Sequence, residues 1–244
     1  MRGLYRKELS TFFSSLMGYL TIVVFLTLTG LMLWVLRTGM NVLDYKYAGL
    51  DGLFVLAPFL YLFLIPALTM RMFAEERRGG TLELLLTKPL TEWTLVWAKF
   101  LAGFTLVVIS LIPTLVYYWA VYRLGDPVGN IDTGAVVGSY VGLLFLGAAF
   151  VAIGLFASSL TNNQIVAFIV GALLCLVCYM GMDMLYQLMH GRWALLLRQL
   201  GLQVHYESIS RGVIDTRDVV YFLSVIAFFL MATRMVLQSR KWKR

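Results

Sequence analysis

The chain has 244 residues, of which 60% are hydrophobic and only 14% charged, with a mean hydropathy of +0.82 and a formal net charge of +7. Soluble domains carry about a quarter charged residues, so this composition excludes a soluble domain and points to an all-α, polytopic membrane protein. The positive charge would suit nucleic acid only if it faced one partner, and it must first be placed relative to a membrane.

In chain order, residues 1–15 predict an amphipathic helix lying at a membrane interface, with Arg6 and Lys7 on a basic side and Tyr5, Phe12 and Phe13 on an aromatic one. The apolar run 16–36 is long enough to cross a hydrocarbon core of about 30 Å. It lacks a small-residue cleavage site, which marks an anchor rather than a removable signal. A second span, 53–72, contains Pro58 and Pro66, which are expected to kink it. The third, 93–122, ends in the aromatic group Tyr117, Tyr118, Trp119 and Tyr122, a composition suited to the interface. The fourth, 134–160, carries Gly138, Gly142, Gly147 and Gly154, small residues that let helices approach closely. A polar turn over 158–164 leads into the fifth, 165–182. The sixth span is 219–237, but its apolar stretch between Asp218 and Arg234 is only about 15 residues, short for a crossing.

Six spans place both termini on one side. With that side inside, about 13 of the 20 Lys and Arg residues are cytoplasmic and crowd the span ends. The positive-inside rule thus predicts cytoplasmic termini in a bacterial inner membrane. The charge is topogenic, and nucleic acid loses its support as a partner. No charged residue falls in the middle of a predicted span, which argues against proton-coupled transport.

The segment 73–92 is the one cytoplasmic stretch with a built pattern. Glu75, Glu76, Arg77 and Arg78 close an apolar run, and Gly79 and Gly80 break the helix. Thr81, Leu82, Glu83, Leu84, Leu85 and Thr87 then fit two turns of a surface helix, with Glu83 in the first turn and Pro89 forcing an end. Together with Lys99, this run resembles the first cytoplasmic loop of ABC-2 type transporter permeases. The resemblance implies a coupling helix that docks in a groove of a separate ABC ATPase subunit, with ATP and Mg held by that subunit. Salt bridges from Glu75 to Arg78, and from the helix around Tyr5 to Phe13, are expected to complete the contact with partners outside this chain.

The outer segment 183–218 is the longest stretch between spans, and its leucines and Trp193 predict one or two short helices on or in the outer leaflet. Two stretches, 147–164 and the run through Tyr206, Ser208, Arg211, Gly212 and Asp215, resemble the gliding-motility (Gld type) permease subunit and its nitrous-oxide-reductase-maturation relatives. That resemblance implies re-entrant helices before the last span, near the outer gate.

The sequence has no glycine-rich phosphate loop followed by Lys-Ser or Lys-Thr, so no nucleotide site or enzyme activity is expected in this chain. No cofactor or metal is expected either. Cys175 and Cys178 read as packing residues within the fifth span, and His190 near Asp183 is a weak metal candidate. The expected function is the permease subunit of an ATP-driven ABC exporter, paired with an identical or related permease and surrounded by membrane lipids. Two alternatives stay open: an ABC complex that passes force to an outer-side partner without transporting anything, and a membrane scaffold without an ATPase.

Overall fold

The computed structural model describes residues 2–37, 39–44, 47–81, 91–188 and 198–239. Within them the chain is helical, with no strand. We number the helices α1 (Arg2–Ser14), α2 (Leu16–Gly30, extended by a π turn Leu31–Val35), α3 (Asp51–Thr69), α4 (Arg71–Arg78), α5 (Glu92–Leu111), α6 (Leu115–Leu124), α7 (Thr133–Leu160), α8 (Gln164–Leu176, extended by a π turn Val177–Gly181), α9 (Met182–Leu188), α10 (Leu202–Ser210) and α11 (Thr216–Ser239). They make six stretches long and apolar enough to cross a membrane: Leu16–Val35, Asp51–Arg78, Glu92–Leu124, Thr133–Leu160, Gln164–Leu188 and Thr216–Ser239.

Helix starts follow local chemistry. The Thr91 side chain accepts the Thr94 amide to begin α5, Asp132 accepts that of Ala135 to begin α7, and Asn163 accepts that of Ile165 to begin α8. Pro113 lacks the amide that would continue α5, and the chain passes through a single 3-10 turn, Ile112–Thr114, before resuming as α6.

Helix α7 is the centre of the bundle: 78% of its apolar window is buried, against 22% for α2 and for the α8 stretch. It packs against α3, α4, α5, α8, α10 and α11. The reason is its small residues. A Cβ on Gly154 would lie 2.1 Å from Thr69 Oγ1, and one on Gly147 would lie 2.6 Å from a Val107 methyl, so α3 and α5 sit at distances that only glycine allows. The poorly buried helices α2, α8 and α11 form the periphery and expose Leu16, Val23, Ile165, Leu173, Phe228 and Met235, as lipid-facing surfaces do.

Helix α3 stays helical through Pro58 and Pro66, the prolines expected to kink it, and the interruption of the second stretch falls at Met70. Pro58 has no amide for the Phe54 carbonyl, and the Tyr206 hydroxyl of α10 donates to that carbonyl instead, at 2.7 Å. Ser158 and Ser159 are not part of a polar turn but lie fully buried in α7. The last helix is not short. It runs 24 residues because its two charged boundary residues are accommodated inside it, Asp218 against His205 and Arg234 over the Trp93 ring at 5.0 Å.

Candidate functional site

Both ends of the chain meet the start of α5. Glu8 of α1 reaches Lys99, and Gln238 near the end of α11 donates to Glu92 at 3.4 Å. At this terminal end the charged residues of α1, α4 and α5 come together. Lys99 Nζ lies 3.1 Å from Glu8 Oε1 and 2.9 Å from Glu76 Oε1. Lys7 Nζ stands 3.8 Å from the same Glu76 oxygen and 4.0 Å from Glu8.

Burial ranks these groups. The Lys99 side chain is 1% exposed, Glu8 7% and Glu76 14%, whereas Lys7 is 55% exposed. Lys99 is thus a fully desolvated cation held by two almost desolvated carboxylates, and its Nζ also sits 5.2 Å from the centre of the Phe73 ring. An ion this deep is tolerated only when it is paired and hydrogen-bonded. The periodicity of α1 accounts for the arrangement: Glu8 and Phe12 are four residues apart on the inward face, while Arg2, Arg6 and Lys7 stay outside. Tyr5, on the same inward side, closes the contact with a 2.9 Å hydrogen bond to Thr105.

Salt bridges expected to reach another protein are in part made within the chain: Glu8 and Glu76 pair with Lys99, with the exposed Lys7 3.8 Å from Glu76, while Glu75 is exposed and stands 4.0 Å from Arg71. Lys99 is also no surface contact, because it lies inside the bundle. Sequence reasoning gave Glu8 no role in the site. The available signal was a lone acid in a basic helix, placed four residues before a phenylalanine on the same face.

Helix α4 is positioned from the opposite side by Ser158 of α7. The first amides of any helix lack intrahelical partners, and α4 follows Met70 with no side-chain cap of its own. Ser158 Oγ accepts from the Phe73 and Ala74 amides at 3.0 and 3.1 Å and donates to the Met70 carbonyl at 2.8 Å. A hydroxyl from the central helix therefore caps α4 where the second stretch is interrupted. At the other end, the Gly79 amide returns to the Glu75 carbonyl, and Gly80 adopts φ +68°, a left-handed conformation that ends helices and that glycine adopts without strain.

Of the other predicted coupling residues, Arg78, Gly80 and Thr81 are exposed, as expected for a surface segment, and the Thr81 hydroxyl donates to the Glu76 carbonyl. Leu82, Glu83, Leu84, Leu85, Thr87 and Pro89 lie outside the described residues, as do Trp193 and His190. Arg6 is exposed and the Phe13 ring meets Tyr19 edge-on at 5.7 Å.

At the opposite end, α10 folds back on the bundle. Its Leu202, Tyr206 and Ile209 are buried, and Gly138 and Gly142 of α7 admit the Ile209 backbone and the Tyr206 ring. Burial pushes the Tyr206 phenol well above its ordinary value, so it remains a hydrogen-bond donor to Phe54. Gly212, at φ +88°, makes the tight return, and Asp215 accepts the Arg217 amide at the start of α11. Ser208 supplies a carbonyl to the Arg211 amide, while the Arg211 side chain is exposed. His205 holds this helix to the last span through Asp218 at 2.6 Å and a parallel stack on Tyr221 at 3.8 Å. Cys175 and Cys178 are both free. No group of three His, Cys, Asp or Glu suited to a metal occurs among the described residues.

Six apolar helices around a glycine-lined centre, with a charge knot at the end that carries both termini, define a multi-pass membrane protein whose spans are tied together at one face. The chain belongs to the ABC-2 family of transporter proteins, whose family model matches residues 4–239. Membership implies pairing with an ABC ATPase subunit. No match is found among curated proteins.

Proposed function

We propose that this chain is the membrane-spanning permease subunit of an ABC exporter of the bacterial inner membrane. Its termini and the segment 73–92 are cytoplasmic, and a separate ATPase subunit binds ATP and Mg and docks on residues 81–87. Two permeases, identical or related, face each other in the complex. Movement of the docked ATPase enters through α4 and α5, which flank the segment 82–90 on its two sides.

The observation that supports this reading most is the Lys99 knot. It joins α1, α4 and α5 through one buried cation, so a push on the loop between α4 and α5 moves three elements as one body. Packed cores respond to such a push by shifting between discrete arrangements rather than by bending.

The test uses the complex reconstituted in liposomes, comparing ATP hydrolysis with that of the isolated ATPase. Leu84→Asp is expected to abolish stimulation by the permease. The neutral triple variant Glu8→Gln, Glu76→Gln, Lys99→Met is expected to keep the ATPase bound yet lose most of the stimulation. Unchanged stimulation in both variants defeats the reading.

A second reading is favoured by one contact. Because Tyr206 is bonded to Phe54 of α3, movement of α3 carries α10 with it, which suits a complex that passes force to an outer-side partner.

A further inference from the structure

His205 of α10 lies at the end of the bundle opposite the termini, and both of its ring nitrogens meet acceptors. Nδ1 stands 2.6 Å from Asp218 Oδ1 on α11, and Nε2 stands 2.8 Å from the Gln199 carbonyl oxygen. The Asp218 side chain is 9% exposed and that of His205 16%, so the ring still reaches water. A neutral imidazole has one N–H and one lone pair, and it cannot donate to two acceptors. The two contacts therefore need one proton more than a neutral ring beside an ionised carboxylate carries. That count is the same whether the proton is placed on the ring or on the carboxyl, so it belongs to the pair.

The proton decides what holds the stretch just before α10. Among the described residues, two side chains reach its backbone: His205 meets the Gln199 carbonyl, and the Tyr221 hydroxyl donates to that of Leu200. The two rings stack on each other at 3.8 Å, so both ties form one unit. When the extra proton leaves, one N–H remains for two acceptors. It stays with Asp218, because a buried carboxylate without a donor costs more than a carbonyl without one, and Asp218 Oδ2 already lacks a partner. The Nε2 lone pair then faces the Gln199 oxygen, and the two repel.

We propose that the His205–Asp218 pair is a proton-operated latch: protonated, it clips residues 198–201 to α10 and α11, and deprotonated, it lets them go. The latched form is the one that holds the extra proton, so by linkage it is favoured at low pH and lost as pH rises. The other titratable and charged groups on the elements packed around His205 are few. Tyr221 meets the ring, and Arg217 of the same helix is exposed. The π turn after α8 carries Cys178 and Tyr179, and α7 carries Tyr140, which is bonded to Thr114. On α10 itself, Glu207 accepts from Gln203 at 2.9 Å, and Arg198 lies over the Tyr186 ring at 5.2 Å. Asp218 is thus the carboxylate that sets the latch. On the reading that the termini are cytoplasmic, the latch faces the outer compartment and ties the segment 183–218 to the acidity there.

The test uses the full chain in nanodiscs, open to buffer on both faces, so its failure and failure of the topology reading are separate. Hydrogen exchange is followed between pH 5 and 9, a range that spans histidine titration. Rates are expressed as protection relative to the unstructured chain at each pH, with peptides of α7 as the internal reference. Protection of residues 198–204 is expected to fall at least tenfold across the range, as loss of one hydrogen bond to a charged group implies, while α7 stays constant. Asp218→Asn offers an amide donor to Nδ1 and leaves Nε2–H for Gln199, so a neutral ring satisfies both contacts; its protection at pH 9 is expected within about twofold of that at pH 5. His205→Gln removes the titrating ring and is expected to show no pH dependence. Matched thermal unfolding curves verify that both variants are folded. A parent whose protection changes less than about twofold overturns the proposal, and so does an Asp218→Asn or His205→Gln protein that loses protection with pH as the parent does.

Discussion

Replacing Lys99 with methionine removes the one fully buried cation among the described residues while keeping the volume of its stem. The change leaves Glu8 and Glu76, 7% and 14% exposed, facing each other with only Lys7 nearby. Lys7 lies 3.8 Å and 4.0 Å from the two carboxylates and is more than half exposed, so it offsets little of their repulsion. Breaking a buried pair by removing one partner costs about 3–5 kcal/mol. At about 2–4 °C per kcal/mol for a chain of this size, the midpoint of thermal unfolding should fall by roughly 6–20 °C. The assay is unfolding in detergent or nanodiscs, together with proteolytic sensitivity at the α1–α2 junction, since α1 is held to α5 chiefly by Glu8 and Tyr5. The neutral triple variant with Glu8→Gln and Glu76→Gln should recover most of the loss, because a buried ion cluster replaced by uncharged groups of similar size is often neutral or better. A midpoint for Lys99→Met within 2 °C of the parent, or a triple variant no better than the single one, refutes the reasoning.

Tyr206→Phe strands the Phe54 carbonyl in a buried place where Pro58 has no amide to offer, and should cost about 1–3 kcal/mol in unfolding experiments. Ser158→Ala removes the only side-chain cap of α4 among the described residues; a loss of about 0.5–2 kcal/mol is expected, with faster hydrogen exchange at the Phe73 and Ala74 amides than at amides in the middle of α7. Gly154→Ala places a methyl group against Thr69, an overpacking that should cost about 1–3 kcal/mol, and Thr69→Ala in the same chain should return part of it. His205→Ala should loosen α10 from α11, seen as new protease cleavage within residues 198–216.

Much of the fold was legible in the sequence because membrane spans are read from length and apolarity alone, and the glycines of 134–160 already marked the central helix. What escaped was where charged and proline residues find partners. Nothing local shows that Tyr206, far along the chain, supplies the donor that Pro58 denies the Phe54 carbonyl. Asp218 and Arg234 read as the limits of a short span until His205 and Trp93 are seen beside them. Lys99 reads as the cytoplasmic edge of a span, and nothing local shows that it is buried, because its partners come from α1 and α4. Within 73–92, the sequence carried no sign that Glu76 is turned inward while Arg78 and Thr81 face out. These are contacts between residues distant in sequence, and periodicity does not encode them.

The central claim, that this chain works as the membrane half of an ATP-driven complex, is tested most directly by purifying the tagged chain in mild detergent. The bound proteins are then identified by mass spectrometry, and ATP hydrolysis is measured in the eluate. The account predicts recovery of an ATP-binding cassette protein with ATPase activity, and loss of both when Leu84→Asp is introduced. Recovery of the folded chain alone across several detergents, with no ATPase activity, would contradict it.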